Sequence, residues 1–334
     1  MLRDVKQAHV KPLLSTCQVT TELTPLITLD IGTGDFESAT RNAAGSVTLT
    51  KHVARRRAGI IIGTPGLPAA NGAYFSYETD PATTTLTGLV TNAAGSGVDQ
   101  TMDILCLDYQ SLTTDRYPSL KTLYATSNAN RMIAFKLFSD GTLGVGGRSI
   151  VNYSKTSTGN YSVSFRNAFK RTPLVFAMTI SNAQTCVNVR SKTAETATFR
   201  TMNSGETAAD NGFYCLVVGS DSRDDVCRLN NVVGIEERRP RVEACRVVAA
   251  GTVSVGSGDV TVVKNGTGDY SVTYTKAFSR EPVAIATAKA SSRCTIHSSS
   301  TTTFTRVLVW NATGSAADDD FCLMTVGFDD ATEF

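Results

Sequence analysis

A seventeen-residue phrase occurs twice in this chain. Thr158-Gly-Asn-Tyr-Ser-Val-Ser-Phe-Arg-Asn-Ala-Phe-Lys-Arg-Thr-Pro-Leu174 returns as Thr267-Gly-Asp-Tyr-Ser-Val-Thr-Tyr-Thr-Lys-Ala-Phe-Ser-Arg-Glu-Pro-Val283. Nine of the seventeen positions are identical, at an offset of 267 − 158 = 109 residues. Unrelated windows of this length share about one residue. A period near a hundred residues excludes a solenoid of short units and points to tandem domain-sized copies.

The phrase has a direct physical meaning. Tyr161, Val163 and Phe165 alternate with Ser162 and Ser164, and Tyr270, Val272 and Tyr274 alternate with Ser271 and Thr273. Period-two alternation marks a strand with one buried face. Ala168-Phe169 and Ala277-Phe278 break it, which reads as a corner with the Phe plugging the end of a core. Pro173 and Pro282 precede apolar runs, Leu174–Ile180 and Val283–Thr287, at the strand start where a missing N–H is tolerated. Thr196–Thr201 and Thr302–Trp310 read as further strands, and the Phe213 and Phe321 segments close each copy.

One more period back lies a degraded third copy. Ala44–Arg57 takes the place of the phrase, with Val47 set against Val163 and Cys106 against Cys215. It lacks the Tyr, Phe and Pro of the phrase. Six to eight short strands per hundred residues, separated by Gly, Asn, Asp and Ser turns, fit an antiparallel β-sandwich. The expected fold is therefore all-β: three tandem antiparallel sandwiches, Ig-like or jelly-roll-like, with an N-terminal arm. The divisions are arm 1–20, divergent sandwich 21–118, linker 119–130, sandwich 131–227, linker 228–241 and sandwich 242–334. A short helix is expected around Leu120–Asn130.

Composition narrows the functional classes. With 32 Lys and Arg against 30 Asp and Glu, a net charge of +2 gives no global pull toward nucleic acid or anionic membrane. The charged N-terminus is not a signal peptide, and no apolar run approaches the roughly 18 residues of a membrane span. The eight cysteines form no CxxC pair. Cys215 and Cys322 are read as equivalent, as are Cys186 and Cys294. Disulfides Cys186–Cys215 and Cys294–Cys322 stay open beside the favoured alternative of buried thiols.

Candidate chemistry is sparse. His9, His52 and His297 have no neighbouring nucleophile–acid grouping. The Gly141–Ser149 segment lacks the Gly-Lys-Ser/Thr of a phosphate loop and reads as a β-turn. Asp318-Asp-Asp320 and Asp221–Asp225 lack EF-hand spacing and read as solvated loops. No catalytic, cofactor or metal site is therefore expected. The densest basic patch, Lys51 with Arg55, Arg56 and Arg57, is the candidate partner-binding site, suited to an acidic protein surface.

The pattern Tyr161-x-Val-x-Phe165…Phe169…Pro173, with its copy Tyr270…Pro282, resembles β-sandwich repeats in virion proteins of tailed bacteriophages. The resemblance covers two copies well and the first poorly. It implies a non-enzymatic structural protein located in the virion and assembled in the host cytoplasm. Within that class a capsid decoration or cement protein is expected. A tail fibre or tail adaptor is the alternative, and a lectin-like carbohydrate-binding module a third. Implied partners are the major capsid protein or tail proteins, in multiple copies per particle, with a cell-surface glycan as a secondary ligand, and neither nucleic acid nor membrane.

Overall fold

The computed structural model describes residues 13–21, 27–32, 36–51, 60–65, 73–77, 85–92, 94–100, 102–108, 130–145, 150–169, 172–220, 241–256, 259–289, 293–311 and 313–327. They are all-β, and the strands fall into three sets of eight. The first set is β1 (Leu13–Thr21), β2 (Ile27–Gly32), β3 (Phe36–Ala43), β4 (Ser46–Lys51), β5 (Ile60–Pro65), β6 (Tyr74–Tyr77), β7 (Thr85–Thr91) and β8 (Met102–Asp108). The second is β9 (Asn130–Leu137), β10 (Leu143–Val145), β11 (Ile150–Ser157), β12 (Asn160–Phe165), β13 (Leu174–Ile180), β14 (Thr185–Lys192), β15 (Thr196–Asn203) and β16 (Gly212–Ser220). The third is β17 (Arg241–Val247), β18 (Val253–Gly256), β19 (Val260–Gly266), β20 (Asp269–Tyr274), β21 (Val283–Ala288), β22 (Arg293–Ile296), β23 (Phe304–Trp310) and β24 (Phe321–Gly327).

Each set pairs in the same order. The first, second, fifth and eighth strands make one sheet: β2-β1-β8-β5, β10-β9-β16-β13 and β18-β17-β24-β21. The other four make a second: β3-β4-β7-β6, β11-β12-β15-β14 and β19-β20-β23-β22. All pairings within a set are antiparallel. In the second unit the two sheets face each other across one apolar layer. Phe135 and Phe213 of one sheet meet Phe199 and Tyr161 of the other edge-on or tilted, at ring separations of 4.9–6.2 Å.

The repeated phrase builds one hairpin and one corner. Thr158-Gly159 and Thr267-Gly268 are two-residue hairpin loops, and Ala44-Gly45 is the same loop in the first unit. Each glycine has φ of 65–71°, a region that L side chains disfavour. Space forbids a side chain as well: a Cβ on Gly159 would lie 2.5 Å from the Thr201 carbonyl oxygen, and on Gly268 2.4 Å from that of Val309. At the corner, Phe169 packs edge-on to Phe165 at 5.3 Å, and Phe278 to Tyr274 at 4.9 Å. Cβ atoms on Gly219 and Gly327 would clash with these rings and with Pro173 and Pro282. Phe, Pro and the closing Gly are thus one packing lock.

A second repeated device escaped the sequence reading. Asn92, Asn203 and Asn311 each accept two backbone N–H bonds through Oδ1 and close the turn after the seventh strand. Seven residues on, Asp99, Asp210 and Asp318 accept the N–H of Gly45, Gly159 and Gly268 at 2.7–2.9 Å. The same carboxylates pair with Arg41, Lys155 and Lys264 on the third strand, at 2.5–2.7 Å. Ionic hydrogen bonding, led by those bases, holds all three carboxyls below the usual range. Asp318, which read as a solvated loop residue, is therefore a hairpin clamp.

These contacts correct several sequence alignments. Gly45 corresponds to Gly159, so Val47 takes the place of Tyr161 and not of Val163. Phe213 and Phe321 pair with Leu137 and Val247 respectively, so Cys322 matches Tyr214, and Cys215 matches Leu323. Cys106 falls two residues beyond the counterpart of Cys215, which is Ile104. The first copy lacks the phrase's Tyr because its core is filled from another strand. Where unit two pairs Tyr161 with Phe199, unit one pairs Val47 with Gly88. The Phe75 ring fills the gap, within 3.0 Å of where a Gly88 Cβ would sit. Residues 13–20, assigned to an arm, belong to β1, which sits between β2 and β8. Residues 1–12 lie outside the described residues, as do most of both linkers and residues 120–129 of the expected helix.

Candidate functional site at the junction of the three units

The three units contact one another cyclically. The fifth strand of each lies against a neighbour: β13 against β1, β5 and β8; β21 against β9, β13 and β16; β5 against β17, β21 and β24. Fifth and sixth strands also meet edge to edge. Ile180 of β13 pairs in parallel with Ile296 of β22, which joins two four-stranded sheets into one of eight. Tyr77 of β6 bridges in parallel to Lys289, just past β21, and β5 contacts β14. The arrangement is a pseudo-threefold ring made by one chain.

The ring seals edges that would otherwise present unpaired N–H groups. Asp103 of β8 accepts the Val175 N–H at 2.8 Å and also pairs with Lys192. The Ala177 N–H donates to Thr64 Oγ1 at 3.0 Å, and the Gly63 N–H to Thr287 Oγ1 at 3.2 Å. Thr64 and Thr287 are equivalent positions; their counterpart in the second unit is Met178, which has no hydroxyl. Between the second and third units, Lys136 Nζ reaches both Glu281 carboxylate oxygens at 2.7 Å, and the Tyr214 hydroxyl bonds the same group. Between the third and first, Cys322 Sγ lies 3.6 Å from the Tyr77 hydroxyl.

A cavity of about 40 Å³ lies where the three units converge. Its wall includes Tyr74, Thr185 and Arg293, the first residues of the sixth strand in each unit. The Arg293 guanidinium stacks 3.9 Å above the Tyr74 ring, and its Nη2 donates to the Asn92 carbonyl at 2.6 Å. Burial lowers the pKa of Arg293 and raises that of Tyr74. Cys186, also in the wall, is pushed up to about 12 by burial, so it is a thiol at neutral pH. Glu206, whose carboxylate acts electrostatically on Tyr74, Cys186 and Arg293, is the one described non-glycine residue with positive φ, at 59°. Its counterparts are Gly95 and Gly314.

The sequence-derived sites fall elsewhere. Lys51 ends β4 and pairs with Phe36. Arg55, Arg56 and Arg57 lie outside the described residues, as do His9, His52 and Asp221–Asp225. The Nδ1 of His297 contacts Ser299 N and Oγ at 3.0 and 2.8 Å, a local turn role. Gly141 sits in a tight turn with φ 88°, as the turn reading requires. Cys186, Cys215, Cys245, Cys294 and Cys322 are all buried free thiols, so neither suggested disulfide forms. No cluster of three or more metal-ligating side chains occurs among the described residues. Comparison with protein-family models, curated proteins and solved structures gives no match.

Proposed function

We propose that this chain is a non-enzymatic structural protein of a phage particle, most simply a decoration or cement protein that stabilises the shell. The observation that carries the reading is the pseudo-threefold ring. One chain presents three similar blades about an axis, a shape suited to a threefold or local threefold position on a shell. The phage kinship itself rests on the resemblance of the Tyr161–Pro173 phrase. With fifth and sixth strands turned toward the ring, the third strands are left as outer edges. Val151 and Tyr153 on β11, and Val263 on β19, are 46–58% exposed there, which suits contact with a neighbour.

Docking is assigned to residues 1–12, to the basic patch Lys51, Arg55, Arg56 and Arg57, and to the first unit. Copy number on purified particles is the deciding measurement. Hundreds per particle supports the shell role. A few copies moves the protein to the tail, where the same axis suits the tip of a threefold fibre or its adaptor. Deleting residues 1–12 spares β1, and unchanged occupancy after that deletion would remove the docking role. Charge reversal at Arg55, Arg56 and Arg57 tests the patch in the same way.

A further inference from the structure

We infer that the junction cavity is a binding site for one small monovalent anion of halide or formate size. Arg293 is 2% exposed, and its Nε and Nη1 have no hydrogen-bond partner. Its one hydrogen bond is the Nη2 contact to Asn92, and it forms no ion pair with a described carboxylate. The Glu206 carboxylate acts on it electrostatically without forming an ion pair, and a buried guanidinium with two unbonded donors is costly because those donors are desolvated.

The rest of the wall offers the same polarity. Thr185 Oγ1 is buried and unpartnered, and the buried Tyr74 hydroxyl has only the Cys186 thiol beside it. Four O–H or N–H groups carried by residues of the wall therefore lack an oxygen or nitrogen acceptor. Size limits the ligand. Roughly 10–15 Å³ of such volume admits one water, so 40 Å³ takes an ion of one to about four heavy atoms and rejects a sugar or nucleotide. Each unit contributes one of these residues, so an anion held there ties the three units together.

The three units differ at the site, and that difference supports the assignment. A water-filled symmetric junction needs no charge. Here the equivalent positions are Tyr74, Thr185 and Arg293, so the single cation comes from one unit and the hydroxyls from the other two. Tyr74 also supplies the ring on which the guanidinium stacks.

The test uses the full chain. Thermal unfolding is followed in bromide, chloride, nitrate and formate, with sodium gluconate holding ionic strength constant because it is too large to enter. Above the dissociation constant, Tm should rise by about 2 °C per tenfold increase in small anion. Crystals grown in bromide should show an anomalous peak within hydrogen-bond reach of Arg293 Nε and Nη1. Arg293→Met should abolish the peak and the anion-specific Tm rise. Thr185→Val, which keeps the side-chain shape, should weaken the apparent affinity several-fold and remains informative if Arg293→Met does not fold. Absence of the peak in saturating bromide, with equal Tm in bromide and gluconate, would overturn the assignment. So would a peak that persists in Arg293→Met.

Discussion

The two sheets of the second unit bury their side chains by different rules. Along β12, buried Tyr161, Val163 and Phe165 alternate with half-buried Asn160, Ser162 and Ser164. Along β16, every side chain from Phe213 to Val218 is buried. Phe213, Cys215 and Val217 fill the unit's own core, while Tyr214, Leu216 and Val218 join the core shared among units. β13 divides in the same way: Val175 and Ala177 face inward, and Leu174 and Phe176 face the neighbours. A strand with one wet face alternates, and a strand buried on both faces reads as a continuous apolar run. The difference separates what folds a sandwich from what assembles three.

The sharpest way to break that division is a charge on the shared face. Leu216→Asp should cost at least about 4 kcal/mol. It should raise the radius of gyration in solution scattering while the far-ultraviolet β signal survives. Ser162→Asp, on the outer face of β12, should stay within about 0.5 kcal/mol of the parent. Equal melting temperatures for the two variants would refute the two-core account.

Asp103→Ala should come next, at about 3 kcal/mol, because it removes a buried carboxylate and leaves the half-buried Lys192 ammonium without its partner. The paired change Asp103→Leu with Lys192→Met should recover much of that loss. A double-mutant cycle by urea denaturation measures the coupling, and additive losses would mean that the pair does not join the units.

Glu206→Gly should raise stability by about 0.5–1 kcal/mol, since it releases a left-handed residue at a position that is Gly95 and Gly314 in the other units. A fall in Tm would show that the Glu206 carboxylate contributes to the junction more than its backbone strain costs.

The smallest effect belongs to the hairpin clamps. The folded-state carboxyl pKa values of Asp99, Asp210 and Asp318 lie below the unfolded value, so each contribution is complete above about pH 4. It is lost as pH falls through the folded pKa. Asp210→Asn should therefore lower Tm slightly at pH 7 and flatten the acid limb of a Tm–pH curve. A parallel curve would assign the acid sensitivity to other carboxylates.

Much of the fold was legible because it is local. Alternation placed β12 and β20, the apolar run placed β13 within its observed bounds, and the Phe–Pro corner marked where the core ends. β11 and β19 gave no such signal: apart from Ile150, every side chain of β11 is exposed, so burial imposes no period on them. The Asn…Asp pair seven residues apart, present in all three copies, was a readable signal that would have aligned the first unit correctly. The junction site was not legible. Tyr74, Thr185 and Arg293 share no residue type and no motif, and they meet only because three sixth strands converge.

By itself, the sequence determined an all-β chain with a repeated core-packing phrase, since glycine turns, period-two burial and a Phe–Pro corner are set by neighbours along the chain. Only the tertiary structure decided that the copies close into a ring and that their apolar runs serve two cores. It also decided that a lone arginine is buried where the units meet. Hydrogen bonds between units join residues 67 to 245 positions apart, and no local pattern encodes which faces will find each other.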